Sequence, residues 1–201
     1  MSCRVGRIVS ILFCLSPTPL MVASDINWEA RIQRVSQYYA SYCARHYRVP
    51  VELVKAIMEV ESGWNPQAQS GKGAVGLMQL MPKTAVRFQV KNCYNIEQNI
   101  RGGVAYLAQL YLLFHGDLRL VSAAYFTGEG RILMKKLAYA SPDTLAYVRQ
   151  VARTFRQKQR SNQQRELQEE SNAAKKSQPV CPRPVGQYCD QPDRCVTDQS
   201  S

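Results

Sequence analysis

The stretch MEVESGWNPQAQSGKGAVGLMQLMP, residues 58–82, joins the end of a predicted helix to a glycine-rich loop. Val54, Ile57 and Glu61 recur on one face of that helix, whereas Glu59 falls on the opposite, solvated face. Burial on the apolar face would raise the pKa of Glu61 toward the range in which a carboxyl group donates a proton at neutral pH. On periodicity alone, an acid at a frayed helix end, turned to solvent or paired with an arginine, is an equal alternative.

The loop after this acid favours a binding site. Its glycines between residues 71 and 76 would let backbone approach a ligand closely, although an ordinary turn is the alternative for glycines alone. The pair Leu77 and Met78 is too apolar for a solvent loop and can lie beneath a site. Gln79 then offers a hydrogen-bond donor and an acceptor to a polar ligand. Helix end and loop together predict a cleft built around one carboxyl group.

Helical periods dominate the rest of the chain, and no stretch alternates strictly between apolar and polar residues. The sequence therefore predicts an all-α fold. In the long central helix, Gly102 and Gly103 indicate close approach of another backbone, because glycine costs a helix about 1 kcal/mol relative to alanine. For Tyr38, Tyr39 and Tyr42 on the first helix, core packing is favoured over a sugar-stacking face. Four predicted helices cover residues 28–46, 50–63, 95–114 and 117–125. A glycine turn follows the fourth of these, and a last helix begins at residue 141.

The first 24 residues have the pattern of a secretory signal peptide. Arg4 and Arg7 precede a short apolar run that ends in small residues, as at a cleavage site. Pro17 and Pro19 interrupt the run, which is also shorter than the roughly 20 residues that a membrane span needs. We therefore expect residues 1–24 to be removed, the protein to be exported to the periplasm or beyond, and no stable membrane span to remain.

The expected domain covers residues 25–158, and a polar tail follows over 159–201. The segment 156–179 has almost no large apolar residues, so it predicts a frayed helix or a linker. The formal net charge is +11, or +9 without the two arginines of the signal segment, which indicates an acidic or polyanionic partner. Basic residues of the tail alternate with Gln and Glu rather than with aromatic residues, which argues against nucleic acid.

The expected export bears on the cysteines, because disulfides can form outside the cytoplasm. Cys43 and Cys93 lie within the expected domain, and pairing them is the first hypothesis. The tail holds three more, Cys181, Cys189 and Cys195, an odd number that would leave one thiol free or intermolecular. A zinc site is disfavoured because the tail lacks histidine and paired C-x-x-C spacing.

These motifs resemble the soluble lytic transglycosylase domain of lysozyme-like fold. The resemblance covers about residues 35–155 and rests on ES at 61–62, GLMQ at 76–79 and AAYFTGEG at 123–130, with supporting matches in the central helix and in DTLAYVRQV at 143–151. It is closest to small members associated with conjugation or type IV secretion. It implies a single lysozyme-like helical domain with a substrate cleft, preceded by the signal segment and followed by the polar tail.

The resemblance also assigns site residues. Glu61 would be the catalytic acid, with Ser62 supporting it or the sugar N-acetyl group, and Gln79 binding sugar in the cleft. Tyr125 would hydrogen-bond near Glu61 and tune it, and Tyr147 would line the same site. Met78 is assigned to substrate binding as well. One departure stands out, since Phe126 occupies the position where the family usually has asparagine.

The activity implied is non-hydrolytic cleavage of the bond between N-acetylmuramic acid and N-acetylglucosamine in peptidoglycan, leaving 1,6-anhydro ends and using no cofactor and no metal. Local wall opening for a secretion or conjugation apparatus is the implied role. A muramidase that uses water is one alternative, but it would need a second carboxylate facing Glu61, and Asp117, Glu129 and Asp143 read as caps or turns. A non-catalytic peptidoglycan-binding or scaffold protein is the other, supported by Phe126 and the tail.

Overall fold

The computed structural model describes residues 27–135, 138 and 141–176, and the predicted signal segment and the cysteine-bearing part of the tail lie outside these residues. Within them the chain forms helices and no strands, so the all-α prediction is confirmed. The seven helices are α1 Trp28–His46, α2 Val51–Ser62, α3 Pro82–Arg87, α4 Ile96–Leu113, α5 Leu118–Thr127, α6 Glu129–Lys135 and α7 Pro142–Lys176.

Capping residues explain where the main helices begin and end. Asn95 and Asp117 accept hydrogen bonds from backbone amides of the first turns of α4 and α5. Pro50 precedes α2, and Gly63 ends it in the left-handed conformation, with φ of 58°. The predicted boundaries of α1, α2, α4 and α5 are therefore confirmed to within two residues.

The central helix α4 organises the core. Its buried stripe includes Ile100, Val104 and Leu107, and α1 packs along it. Helix α2 contributes fully buried Leu53 and Ile57 to the same core and packs against α7, which also covers α5. This arrangement places the C-terminal end of α2 beside the first turns of α7.

The two glycines of α4 mark close contacts, but the contacting groups are side chains rather than the backbone that the sequence predicted. A Cβ atom on Gly103 would lie 2.4 Å from Met78 Sδ, and one on Gly102 would lie 2.3 Å from Val90 Cγ2. The loop that carries Met78 is thereby packed directly onto α4.

Several predictions were wrong or incomplete. Helices α3 and α6 were not predicted, and α6 begins where a glycine turn alone was expected. Helix α7 continues to Lys176 through the segment expected to be a frayed helix or a linker. Tyr38 and Tyr42 are 62% and 54% exposed, so the expectation of core packing fails for both.

The proposed Cys43–Cys93 disulfide is also wrong, since both residues are free thiols. Cys43 is buried on α1 in the main core, whereas Cys93 packs against a separate small cluster around Leu80. Among the helices of the described residues, none combines the length and the apolar character required to cross a membrane.

Candidate active site

Glu61 lies one residue before the end of α2, on the face that carries buried Ile57 and Met58. Burial raises the pKa of its carboxyl group from 4.5 to about 7. No lysine, arginine or histidine of the described residues forms an ion pair with it. A carboxyl group with this pKa can donate a proton near neutral pH. The periodicity of α2 had left burial and solvent exposure open, and the structure shows burial.

Tyr147 is the direct partner of this carboxyl group. It lies on α7, 86 residues away in sequence, and its hydroxyl donates a hydrogen bond of 2.5 Å to Glu61 Oε1. This bond lowers the pKa of Glu61, partly offsetting the effect of burial. Burial and the charge of Glu61 keep the pKa of Tyr147 well above its usual value of 10, so the phenol remains a donor.

The resemblance implied that Tyr125 forms a hydrogen bond near Glu61, and in the structure its partner lies in the loop. Its hydroxyl donates to the backbone carbonyl of Met78 at 2.8 Å, and its ring lies 5.3 Å from that of Tyr106. It lies near enough to Glu61 for that charge to raise its own pKa. Tyr125 thus anchors the loop, whereas Tyr147 makes the hydrogen bond to the acid.

Ser62 also positions the loop. Its hydroxyl donates to the backbone carbonyl of Leu77 at 2.8 Å, with the Met58 carbonyl at 3.1 Å as a second acceptor. The bond ties the residue after Glu61 to the apolar part of the loop. Ser62 therefore supports the site by holding the backbone of the loop.

Asn99 also holds the backbone of this loop, and the sequence analysis missed it. It is 1% exposed on α4, and its Nδ2 donates to the carbonyls of Val75 and Cys93 at 2.9 Å each. Its Oδ1 accepts a 2.8 Å bond from the amide of Met78. An amide on the inner stripe of a core helix, next to Ile100, was the signal that could have revealed it.

Gln79 and Met78 require corrections. The amide nitrogen of Gln79 donates to the carbonyls of Ala68 and Gly76, at 3.1 and 2.9 Å, so its donor serves the loop rather than a ligand. Its Oε1 forms no hydrogen bond with the described residues and is the part left for a substrate. Met78 is fully buried against Gly103, so its side chain supports the cleft floor from below.

A cavity of about 440 Å³ lies beside these groups. Gln79, Tyr125 and Phe126 line it, together with the cationic side chains Lys72 and Arg131. Phe126 also stacks on the ring of Tyr147, with ring centroids 4.6 Å apart and planes at 20°. Phe126 thus connects the cavity to the tyrosine that binds Glu61, at the position where an asparagine was expected.

Of the other three candidate carboxylates, two form ion pairs with arginines and one is exposed. Asp117 caps α5 and pairs with Arg119, and Glu129 lies in the first turn of α6, where it pairs with Arg87. Asp143 is exposed in the first turn of α7. In the part of the chain that the structure describes, no group of three or more His, Cys, Asp or Glu side chains is arranged to hold a metal ion.

Comparisons with known proteins agree with this geometry. The model of the transglycosylase SLT domain family matches residues 38–147, which include Glu61, the loop and Tyr147. A transglycosylase of Enterobacteria phage PRD1 is 44% identical over 82 residues, covering 41% of this chain and 31% of the phage protein. The soluble lytic murein transglycosylase of Escherichia coli K12 is 37% identical over 94 residues, covering 42% of this chain and 15% of that enzyme.

Among solved structures, an inactive glutamate-to-glutamine mutant of the lytic transglycosylase Slt from Pseudomonas aeruginosa aligns with a TM-score of 0.54 and 28% identity. The alignment covers 63% of this chain and 24% of that one. The chain thus spans less than a third of each of these relatives.

Proposed function

The chain belongs to the transglycosylase SLT domain family, and from that premise we propose that it is a peptidoglycan lytic transglycosylase with Glu61 as its only acid–base group. The observation that carries this proposal is the pairing of Glu61 with Tyr147 in a largely buried setting without a cation. Relatives named as lytic murein transglycosylases support the substrate class.

In the first step, protonated Glu61 donates its proton to the oxygen that links N-acetylmuramic acid to N-acetylglucosamine. The bond from C1 to that oxygen breaks, and N-acetylglucosamine leaves with the proton. A carboxyl group whose pKa is about 7 suits this step, because a large fraction is protonated at neutral pH. Tyr147 stabilises the carboxylate that remains, since its phenol keeps donating to Oε1.

In the second step, the same carboxylate takes the proton from the C6 hydroxyl of the muramyl residue. The C6 oxygen forms a bond to C1 and closes the 1,6-anhydro ring, so no water is consumed. One group must therefore release and accept a proton within one turnover, which a pKa near ambient pH permits. The Pseudomonas aeruginosa relative, inactive as a glutamate-to-glutamine mutant, is in keeping with a required glutamate.

The arrangement favours this route over hydrolysis by two carboxylates. A muramidase would need a second carboxylate to activate water or to attack the sugar. Among the described acids, Asp117 and Glu129 are held by arginines. Asp143 lies exposed in the first turn of α7.

Charge and compartment fit a wall substrate. The net charge of +11 is complementary to the carboxylates of stem peptides and to phosphate-rich wall polymers. Lys72 and Arg131 bring part of that charge to the cleft cavity. We include in the proposal export by the segment 1–24 and local opening of the wall for a secretion or conjugation apparatus.

The decisive experiment is mass spectrometry of the muropeptides released from purified sacculi, performed in water labelled with heavy oxygen. The mature chain should release anhydro ends without the label. Glu61→Gln should reduce release by about a thousandfold, within the range that loss of a general acid–base group produces. Glu52→Gln, on the same helix but bonded to Asn162, is the matched control and should retain activity.

Each alternative has its own outcome. Labelled reducing ends would identify a muramidase, and absence of cleavage by the intact chain would leave a binding or scaffold protein. Equal release by Glu61→Gln would remove this residue from the mechanism. In cells, Glu61→Gln and Glu52→Gln test the role in local wall opening, because only an active chain should restore secretion or conjugation to a deletion strain.

A further inference from the structure

A second cavity, of about 400 Å³, lies at the junction of α1 and the loop that follows α2. The chain contains two tryptophans, and both line it. Trp28 comes from the start of α1, and Trp64 follows Gly63, two residues beyond the end of the catalytic stretch at Glu61–Ser62. The remaining wall consists of Glu29, Ile32, Gln33, Gly63, Asn65 and Pro66.

Trp64 forms a rigid wall. Its φ of 69° is a left-handed conformation that a bulky residue adopts only where its surroundings enforce it. Its ring is partly buried against the main core, and Lys158 Nζ lies 5.8 Å from its centroid. Lys158 is itself held by an ion pair with Glu59. The ring is therefore fixed before any ligand arrives.

Trp28 forms an open part of the wall. It is the first residue of α1 and is 64% exposed. The helix start is fixed by Asn27, whose side chain accepts a 3.0 Å bond from the amide of Ala30. A large aromatic ring is thus held in solvent beside a pocket, an arrangement typical of binding surfaces rather than of a core.

The polar groups between the two rings are amides and one carboxylate. Asn65 accepts a bond from the amide of Gln67 through Oδ1, which leaves its Nδ2 as a donor. Gln33 adds a second side-chain amide, and Glu29 adds acceptor oxygens. Among the described residues, no lysine or arginine lines the cavity, so this part of the wall does not suit an anion. Aromatic faces with neutral donors and acceptors suit a sugar ring that carries hydroxyl and acetamido groups.

We propose that this cavity is a saccharide-binding site, separate from the catalytic cleft, which takes an N-acetylated unit of the glycan strand. The choice of glycan rests on the proposed function, but the site itself rests on the two tryptophans and their polar neighbours. By holding a strand at the end of α2, it would keep the enzyme on its polymer between cuts.

Intrinsic fluorescence tests the site directly, because both tryptophans lie in it. The mature chain carrying Glu61→Gln is titrated with chitotetraose, a neutral tetramer of N-acetylglucosamine, and the emission is recorded. We expect a saturable change in emission. Trp28→Ala should weaken the affinity, read from Trp64, by about tenfold, as expected for loss of an aromatic anchor. Trp28→Phe keeps a ring and should retain most of the affinity.

Two controls locate the signal. Tyr38→Ala removes an equally exposed ring from the same helix and should leave the titration unchanged. Phe126→Ala alters the catalytic cleft and should also leave it unchanged. The proposal would be overturned if the chain gave no response, or if Phe126→Ala lost the response. It would also be overturned if Trp28→Ala kept an intact circular dichroism spectrum and an unchanged affinity. Because binding is scored without turnover, failure to find anhydro products would not affect this result.

Discussion

Among the glutamates that accept a hydrogen bond from a tyrosine hydroxyl, Glu61 and Glu129 have pKa values that move in opposite directions. Tyr147 donates to Glu61 at 2.5 Å, and Tyr106 donates to Glu129 at 3.0 Å. The pKa of Glu61 rises to about 7, whereas that of Glu129 falls below its ordinary value. A phenol donor alone therefore does not make a carboxyl group into a proton donor.

The cation makes the difference. Arg87 Nη1 lies 2.7 Å from Glu129 Oε1 and is the largest cause of its lowered pKa. Glu61 has no such partner among the described residues, so burial dominates and favours its neutral form. The same residue type with the same kind of hydrogen-bond donor is thus a structural anion at Glu129, whereas at Glu61 it has the raised pKa that the proposed proton transfer requires.

This contrast has a consequence for stability. Because the folded-state pKa of Glu61 lies above the unfolded value of 4.5, the native state binds more protons between pH 4.5 and about 7. Ionised Glu61 therefore destabilises the fold as pH rises through that window, and the loss is complete above it. Glu129 has a lowered pKa, so its contribution is present at neutral pH and is lost on acidification.

The largest expected effect is on the free energy of unfolding, which substitutions of the two glutamates should change in opposite directions. At pH 9, Glu61→Gln should raise the free energy of unfolding by up to about 3 kcal/mol, because it removes a buried charge and keeps an acceptor for Tyr147. Glu129→Gln should lower it by up to about 1 kcal/mol, the usual value of a partly exposed ion pair. Urea denaturation of both variants at pH 4 and pH 9 measures the two values.

At pH 4 the advantage of Glu61→Gln should disappear, since Glu61 is then neutral in both states. A gain that is equal at the two pH values would show that packing, rather than charge, separates the two glutamates.

A second test removes the two phenol donors in turn. Tyr147→Phe deletes a bond that lowers the pKa of Glu61, so the pKa should rise and the alkaline limb of the pH–rate profile should shift upward. The cleavage rate at pH 7 should fall by about tenfold, because the carboxylate formed in the first step loses its charge-assisted hydrogen bond. Tyr106→Phe is the control, since Arg87 still holds Glu129.

An unshifted profile in Tyr147→Phe would mean that the short bond to Glu61 does not influence proton transfer. A comparable shift in Tyr106→Phe would mean that both tyrosines act on the site through packing alone.

The local part of this site could be predicted from sequence. The period of α2 places Glu61 on the face of Ile57 and Met58, and it does lie there. The cap residue Asp117 gave the start of α5 to within one residue, since a cap acts on the turn that follows it. Both inferences use interactions within a few positions of the chain.

The rest depended on contacts between distant segments. Periodicity cannot show that Tyr147 rather than Tyr125 donates to Glu61, because the two tyrosines lie on different helices and both point inward. It also cannot show that the amide nitrogen of Gln79 turns to the loop backbone, which its φ of 46° allows. The same limit applies to Asn99, whose three bonds join segments up to 24 residues away.

The exposure of two tyrosines was predicted wrongly because it, too, depends on contacts between distant segments. Tyr38 and Tyr42 follow a helical spacing typical of a core face, but α4 covers the adjacent face of α1, with Ala40 and Cys43. The two rings stack on each other instead, with centroids 6.3 Å apart. A helical stripe of aromatic residues predicts a shared face, and only the neighbouring helix decides whether that face is buried.

The smallest expected effect is that of replacing Phe126, whose ring stacks on the ring of Tyr147. Phe126→Asn restores the family residue, whose amide can bond the substrate, and should lower KM by about threefold, the value of one net hydrogen bond. The rate constant kcat should change by less than about twofold, because Glu61 and Tyr147 keep their bond. Phe126→Leu removes the ring without adding an amide and should not lower KM. If Phe126→Leu lowers KM equally, the phenylalanine acts by obstructing the cleft, and the absence of the amide has no bearing on affinity.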